Sequence, residues 1–173
     1  MTVGLLYNKR KKESVHYVQL LKKKIEEISA EESINGPKWD VVDSGDYFHD
    51  AATDDVDLLI SIGGDGTFLK TAAVAMKRDL PVLGFHLGTM GLLTEFDKND
   101  MDNTVRRLVK GEYVIEERMT LGVQIEDSEG KMLYKTTAIN DCVLTRGTLA
   151  KVAYINLFIN GALVDTYPCD GIV

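Results

Sequence analysis

Two cysteines in 173 residues, Cys142 and Cys169, are too few for a disulfide scaffold and carry no metal-ligand spacing. They fit a reducing, cytosolic setting, and both are expected as small buried residues. A basic surplus is missing too. The formal net charge of −7 argues against nucleic-acid binding, which shows as an excess of Lys and Arg. It does not exclude a nucleotide site, which needs only a local arrangement of donors. No apolar run approaches the roughly 20 residues of a membrane span. The first residues, MTVGLLYNKRKK, run apolar then basic, the reverse of a secretory signal. There is no internal repeat and no low-complexity segment. These absences point to a cytoplasmic protein with neither membrane nor nucleic acid as partner. What is present, 45% hydrophobic residues, suffices for a sizeable core in one domain, or one domain and part of a second.

Short apolar runs and one clear helical period organise the first two thirds. TVGLLYN at the start has the length of a buried strand. From 11 to 28, Val18, Leu21, Ile25 and Ile28 recur at spacings of three and four among lysines and glutamates, which predicts an amphipathic helix. Strands are expected at 39–42, 57–62 and 81–85, and helices at 67–76 and 102–110, the last closed by Gly111. Strand and helix in alternation predict a parallel sheet flanked by helices. After about Tyr113 the texture changes. LGVQIED, KMLYKTTAIN, DCVLTRG, VAYINLFIN and ALVDTYP are short and β-rich, with turn signals at SEG (128–130) and NG (160–161). The expected division is an α/β domain over 1–112 and the start of an antiparallel all-β domain over 113–173. The final DTYPCDGIV stops on apolar residues after a turn. The expectation is that a C-terminal part is lacking, the alternative being a short chain that pairs its strand edges in an oligomer.

The stretch ISIGGDGTFLK at 60–70 poses a chemical question. Three glycines, Gly63, Gly64 and Gly66, suit a tight turn that presents N–H groups to an anion, with a helix N-terminus behind it. Asp65 then stands where phosphate would repel it. The spacing is neither G-x-G-x-x-G nor a P-loop, since Gly66 precedes Thr67-Phe68 and the lysine comes only at Lys70. Two chemical tasks justify the acid: receiving or orienting the proton of an attacking hydroxyl during phosphoryl transfer, or helping to hold Mg²⁺ on the phosphates. A third, purely structural task is capping the following helix.

GGDGTFLKTA, followed by PVLGFHLGTMGLLTEF, TTAINDCVLTRG and the terminal CDGIV, closely resembles the NAD kinase family, most strongly from about Leu58 onward. GGDGT alone is shared with diacylglycerol and sphingosine kinases, and a close variant with phosphofructokinases; the ordered combination is more specific. The resemblance implies a Rossmann-like N-terminal sheet. It also implies transfer of a phosphoryl group from ATP, or polyphosphate, to the adenosine ribose 2′-hydroxyl of NAD, with Mg²⁺ or another divalent cation, in a cytoplasmic homo-oligomer (dimer or tetramer). Asp65 would act on the hydroxyl. Gly64, Gly66, Thr67 and Phe68 would shape the phosphate pocket, and His86 and Gly88 would belong to the second glycine loop. Asn140 and Asp141 would meet the adenine and ribose side, and Asp170 the nicotinamide end. No protein metal ligand is implied. The chain ends before the family's serine- and threonine-rich loop.

Several residues carry plainer readings beside these. Gly84, Gly88 and Gly91 suit a loop closing over a ligand, or one that simply needs positive φ. A lone histidine such as His86 is more often an ordinary hydrogen-bonded residue. Lys9, Arg10, Lys11 and Lys12 after the first strand would attract donor phosphates, or form a solvated helix start that opposes the dipole. The competing functions are a lipid kinase of the diacylglycerol type and a non-catalytic NAD(P)-binding or oligomerising fragment.

Overall fold

The computed structural model describes residues 1–32, 40–45, 55–88, 91–147 and 152–173, with 40–45 described by backbone. Trp39, Thr89 and Met90, which fall within expected motifs, lie outside the described residues. The chain separates into two compact units, Met1–Glu117 and Arg118–Val173.

In the first unit, β1 (Thr2–Tyr7), α1 (Lys12–Glu32), β2 (Asp40–Gly45), β3 (Leu58–Gly63), α2 (Asp65–Met76), β4 (Val82–His86), β5 (Phe96–Asp97) and α3 (Met101–Val109) follow in order. A 3₁₀ turn, Lys98–Asp100, leads into α3. The strands form one parallel sheet in the order β2-β1-β3-β4-β5. The chain moves outward from β1 to β2, then returns to the other side of β1 for β3. The winding therefore reverses between β1 and β3, and in open α/β sheets ligands bind at the carboxyl ends of the strands at such a point.

Around β1, β3 and β4 both faces are covered, so these strands read as apolar runs rather than alternating ones. On one face Val3, Leu5, Ile60, Ile62 and Phe85 pack with Leu21, Ile25 and Ile28 of α1 and with Met101, Val105 and Leu108 of α3. On the other, Leu6 and Leu59 meet Val74 and Ala75 of α2. The apolar period expected over 11–28 is therefore real, and α1 runs on to Glu32. The close of α3 also follows the sequence. Gly111 is left-handed (φ 73°), its N–H donates to the Leu108 carbonyl (3.1 Å), and the Glu112 N–H donates to that of Arg107 (2.8 Å), a Schellman pair.

Two features depart from expectation. The helix after the glycine turn begins at Asp65 rather than 67, because the extended Gly64 (φ −109°) already serves as its N-cap. A fifth strand, β5, pairs Phe96 with Phe85 and Asp97 with His86, too short to leave a pattern in the sequence.

The second unit consists of β6 (Leu121–Glu126), β7 (Met132–Ala138), β8 (Leu144–Thr145), β9 (Ala153–Ile159), β10 (Ala162–Cys169) and β11 (Gly171–Ile172). They pair antiparallel as β6–β7, β9–β10 and β8–β11. Asn160 and Gly161 both have positive φ (50° and 81°), the turn that an NG dipeptide favours. The expectation that Cys142 and Cys169 are buried is wrong: Cys142 is exposed and Cys169 half-buried. Among its described residues this unit buries no side chain fully, so small apolar residues have no core to enter.

Candidate functional site

At the carboxyl ends of β1 and β3, a cavity of about 260 Å³ is lined by Tyr7, Asn8, Lys11, Gly64, Gly66, Thr67 and Lys70. It sits at the switch point of the sheet. Lys11 comes from the basic run after β1. Lys70 lies one turn beyond Gly66 on α2, so both face the same opening. Among the described residues neither lysine has an ion-pair partner. The Thr67 and Phe68 amides close onto the Gly64 carbonyl (2.9 and 3.1 Å), which leaves the Asp65 and Gly66 amides of the first turn for an anion.

The glycines of the turn and of β4 divide into two kinds. A Cβ on Gly63 would lie 2.5 Å from Thr67 Oγ1 and one on Gly84 would lie 2.7 Å from the Phe68 ring, so packing requires both glycines. Gly64 and Gly66 have nothing within 4 Å of such an atom and no positive φ. Neither space nor backbone asks for glycine there.

Asp65 is turned away from the cavity. Its Oδ2 accepts from the Leu92 N–H (2.9 Å) and its Oδ1 from the Leu93 N–H (3.3 Å). No side chain caps α2, so the capping role weighed for this acid is not the one it plays. The Leu92 amide holds the carboxyl below its ordinary value of 3.8, with help from Leu93 and from the amide and hydroxyl of Thr94, against partial burial that pushes it up. The Thr94 hydroxyl itself is buried and makes no full hydrogen bond among the described residues. With its pKa depressed, Asp65 is ionised at every physiological pH.

His86 ends β4 beside Gly63 and is almost completely buried. Its Nδ1 lies 3.1 Å from the Gly88 carbonyl, which can only accept, so Nδ1 carries the hydrogen. Asp97 Oδ2 stands 3.6 Å from the same nitrogen, and the buried Nε2 has no hydrogen-bond partner among the described residues. Through Nδ1, His86 ties the start of the loop that follows it. Gly88 is exposed at the start of that loop.

Asn140, Asp141 and Asp170 belong to the second unit, all three exposed. Asp170 accepts from the Arg146 guanidinium (Nε to Oδ1, 3.1 Å), and its carbonyl accepts from the Arg146 N–H (2.9 Å). Asn140 and Asp141 precede the opposite end of the β8–β11 ladder. Sequence reasoning passed over Arg146, Tyr7 and Asn8 as site residues. It also passed over the Leu92 and Leu93 amides, which leave no side-chain signal to find.

A family model described as the ATP-NAD kinase N-terminal domain matches residues 3–113. The chain belongs to the ATP-NAD kinase family. Among relatives in this family, an NAD kinase of Acetivibrio thermocellus is 32% identical over 177 residues, covering 100% of this chain and 60% of that protein. One from Corynebacterium diphtheriae is 43% identical over 122 residues, or 70% of this chain and 38% of that protein. The chain therefore spans about three fifths of the Acetivibrio kinase's length. The fold matches a yeast NADH kinase crystallised with NADH (TM-score 0.77, 20% identity, 99% of this chain and 56% of that one). It also matches an Archaeoglobus fulgidus NAD kinase in complex with ATP (TM-score 0.67, 24% identity, 99% and 59%). At these identities the structures establish the α/β fold that the ATP-NAD kinase family shares.

Proposed function

We propose that the chain contributes the phosphate-binding and part of the acceptor-binding surface of an enzyme that phosphorylates the adenosine ribose 2′-hydroxyl of NAD, with ATP as donor, to give NADP. The observation that carries this reading is the division of labour in the glycine turn. Its amides and two lysines face one cavity, and its acid faces the opposite side. Donor phosphates occupy the cavity against Gly64, Gly66, Thr67, Lys11 and Lys70, and Phe68 supports the turn from behind. The hydroxyl oxygen attacks the γ-phosphorus, the bond from that phosphorus to the β-phosphate bridging oxygen breaks, and ADP leaves. Asp65 accepts the hydroxyl's hydrogen bond and orients it, then takes its proton as the new P–O bond forms and passes it to solvent. Its low pKa makes it a weak base, which suits a loose transition state that needs positioning more than proton abstraction. His86 and Gly88 fix the second loop. Asn140, Asp141 and Asp170 are read as the dinucleotide side, the second unit being the start of an all-β domain.

Among the described residues no three His, Cys, Asp or Glu side chains cluster, and both Asp65 oxygens already receive amides. No described residue is assigned here to a divalent-cation seat. A divalent cation would come bound to the donor's phosphates with several waters as its remaining ligands, and would neutralise charge on the phosphates. The reading carries with it a cytoplasmic, homo-oligomeric enzyme. No helix among the described residues is long and apolar enough to cross a membrane.

The test is NADP formation from NAD, ATP and Mg²⁺, with a diacylglycerol arm in parallel. NADP as product is expected. Phosphorylated lipid, or calorimetric NAD binding with no turnover in the full-length protein, overturns the kinase reading in favour of the lipid enzyme or of a binding protein.

A further inference from the structure

We propose that Asp65 is also a positioning residue: its carboxylate is the anion around which the backbone at 91–94 is wrapped, joining the two glycine loops of the site into one unit. Successive backbone N–H groups form a concavity that ordinarily receives an external anion. Here the anion comes from the chain itself, with Leu92 and Leu93 donating to different oxygens at 2.9 and 3.3 Å. Gly91 records the same fit from the other side. A Cβ there would lie 2.0 Å from Asp65 Oδ1 and 2.6 Å from Cγ, so the carboxylate fills the place of a side chain. Gly63, two residues before Asp65, holds the opposite end of the loop, because its carbonyl accepts from the Leu87 N–H at 3.2 Å. One tight turn thus grips the second loop at both ends.

An amide cannot replace the acid. Asn at 65 offers one acceptor oxygen, and its NH₂ would face a backbone N–H donor to donor. Hydrogen exchange of the 173-residue chain tests the contact without any reaction. In Asp65→Asn the Leu92 and Leu93 amides are expected to exchange roughly tenfold faster or more, the fold-change matching loss of a hydrogen bond to a charged group. Ile60 and Phe85 amides in β3 and β4 stay as slow as in the parent. Unchanged protection at Leu92 and Leu93 overturns the proposal. Should Asp65→Asn loosen Ile60 and Phe85 as well, Gly91→Ala decides. It leaves the charge in place but puts a methyl where the carboxylate sits, and it is expected to release the same two amides; their unaltered protection refutes the contact. A kinetic arm rests on the kinase reading. In the full-length enzyme Asp65→Asn raises the KM for NAD together with lowering kcat, roughly 10²–10⁴-fold for a positioned acid–base group. A fall in kcat alone, with exchange unaltered, assigns Asp65 to chemistry only.

Discussion

An acid in a phosphate-binding turn looks like a contradiction while residues are read one at a time, and the neighbours of Asp65 resolve it. The turn is two-sided. The amides of the first helical turn open towards Lys11 and Lys70, and the carboxylate points to the Leu92 and Leu93 amides. The pattern GGDGT raises the expectation of an anion site and a chemically active acid, because side-chain types carry those signals. It could not announce the acid's partners, because backbone amides look alike in any sequence. The glycines separate fold from ligand in a way that can be measured. Gly66→Ala replaces glycine in a first helical turn where nothing lies within 4 Å, so stability should hold or rise by up to about 1 kcal/mol. ATP affinity should fall, since the added methyl enters the phosphate cavity. Gly63→Ala should instead cost about 1–3 kcal/mol, because Thr67 must move off the new Cβ. Urea midpoints and ATP titrations of the two variants check this. A Gly66→Ala protein that loses stability yet binds ATP normally would assign that glycine to the fold.

At the scale of elements, α1 and α3 cross one face of the sheet, and two kinds of contact join them. Ion pairs run along the outside. Arg106 meets Glu31 at 3.0 Å and Glu32 at 3.7 Å, Lys110 meets Glu32 at 3.2 Å, and Lys24 pairs with Asp102. Beneath them Leu21, Ile25 and Ile28 pack in one cluster with Met101, Val105 and Leu108. Partly exposed pairs are worth about 0.2–1 kcal/mol each, whereas emptying a buried leucine costs about 2–5 kcal/mol. The apolar seam therefore decides. Leu21→Ala should lower stability by about 2–5 kcal/mol at any ionic strength. Arg106→Ala should cost under about 1 kcal/mol, and less still in 1 M salt. Denaturant unfolding at low and high salt checks both; an Arg106→Ala loss as large as that of Leu21→Ala would reverse the ranking. The same physics explains what could be read beforehand. Helices that bury a stripe leave a period of three and four, and strands buried on both faces leave apolar runs. The two-residue strand β5 buries too little to leave any mark.

Across the whole molecule, burial divides the chain unequally. Every fully buried described side chain belongs to the first 117 residues, where both sheet faces are covered around β1, β3 and β4. In the second unit the hairpins were legible from short β-rich runs and from the SEG and NG turns. In β9 Ala153, Ile155 and Leu157 are less exposed than Tyr154, Asn156 and Phe158. No described side chain there is fully covered, and large apolar groups such as Leu133, Tyr154, Phe158 and Leu163 are more than half exposed. A two-stranded ribbon without a covered face is marginal in water, because its hydrogen bonds form with little apolar burial to offset the entropy of ordering. Opening free energies should therefore differ sharply along one chain. Hydrogen exchange of the 173-residue protein at low concentration is expected to show slow amides in β1, β3 and β4 and fast ones through β6, β7, β9 and β10. Raising the concentration should slow the second set alone if copies cover one another's open faces, as exposed apolar surface of this extent favours. Slow exchange across 121–169 that does not depend on concentration would mean that these hairpins are stable as they stand, and the inequality drawn from burial would fail.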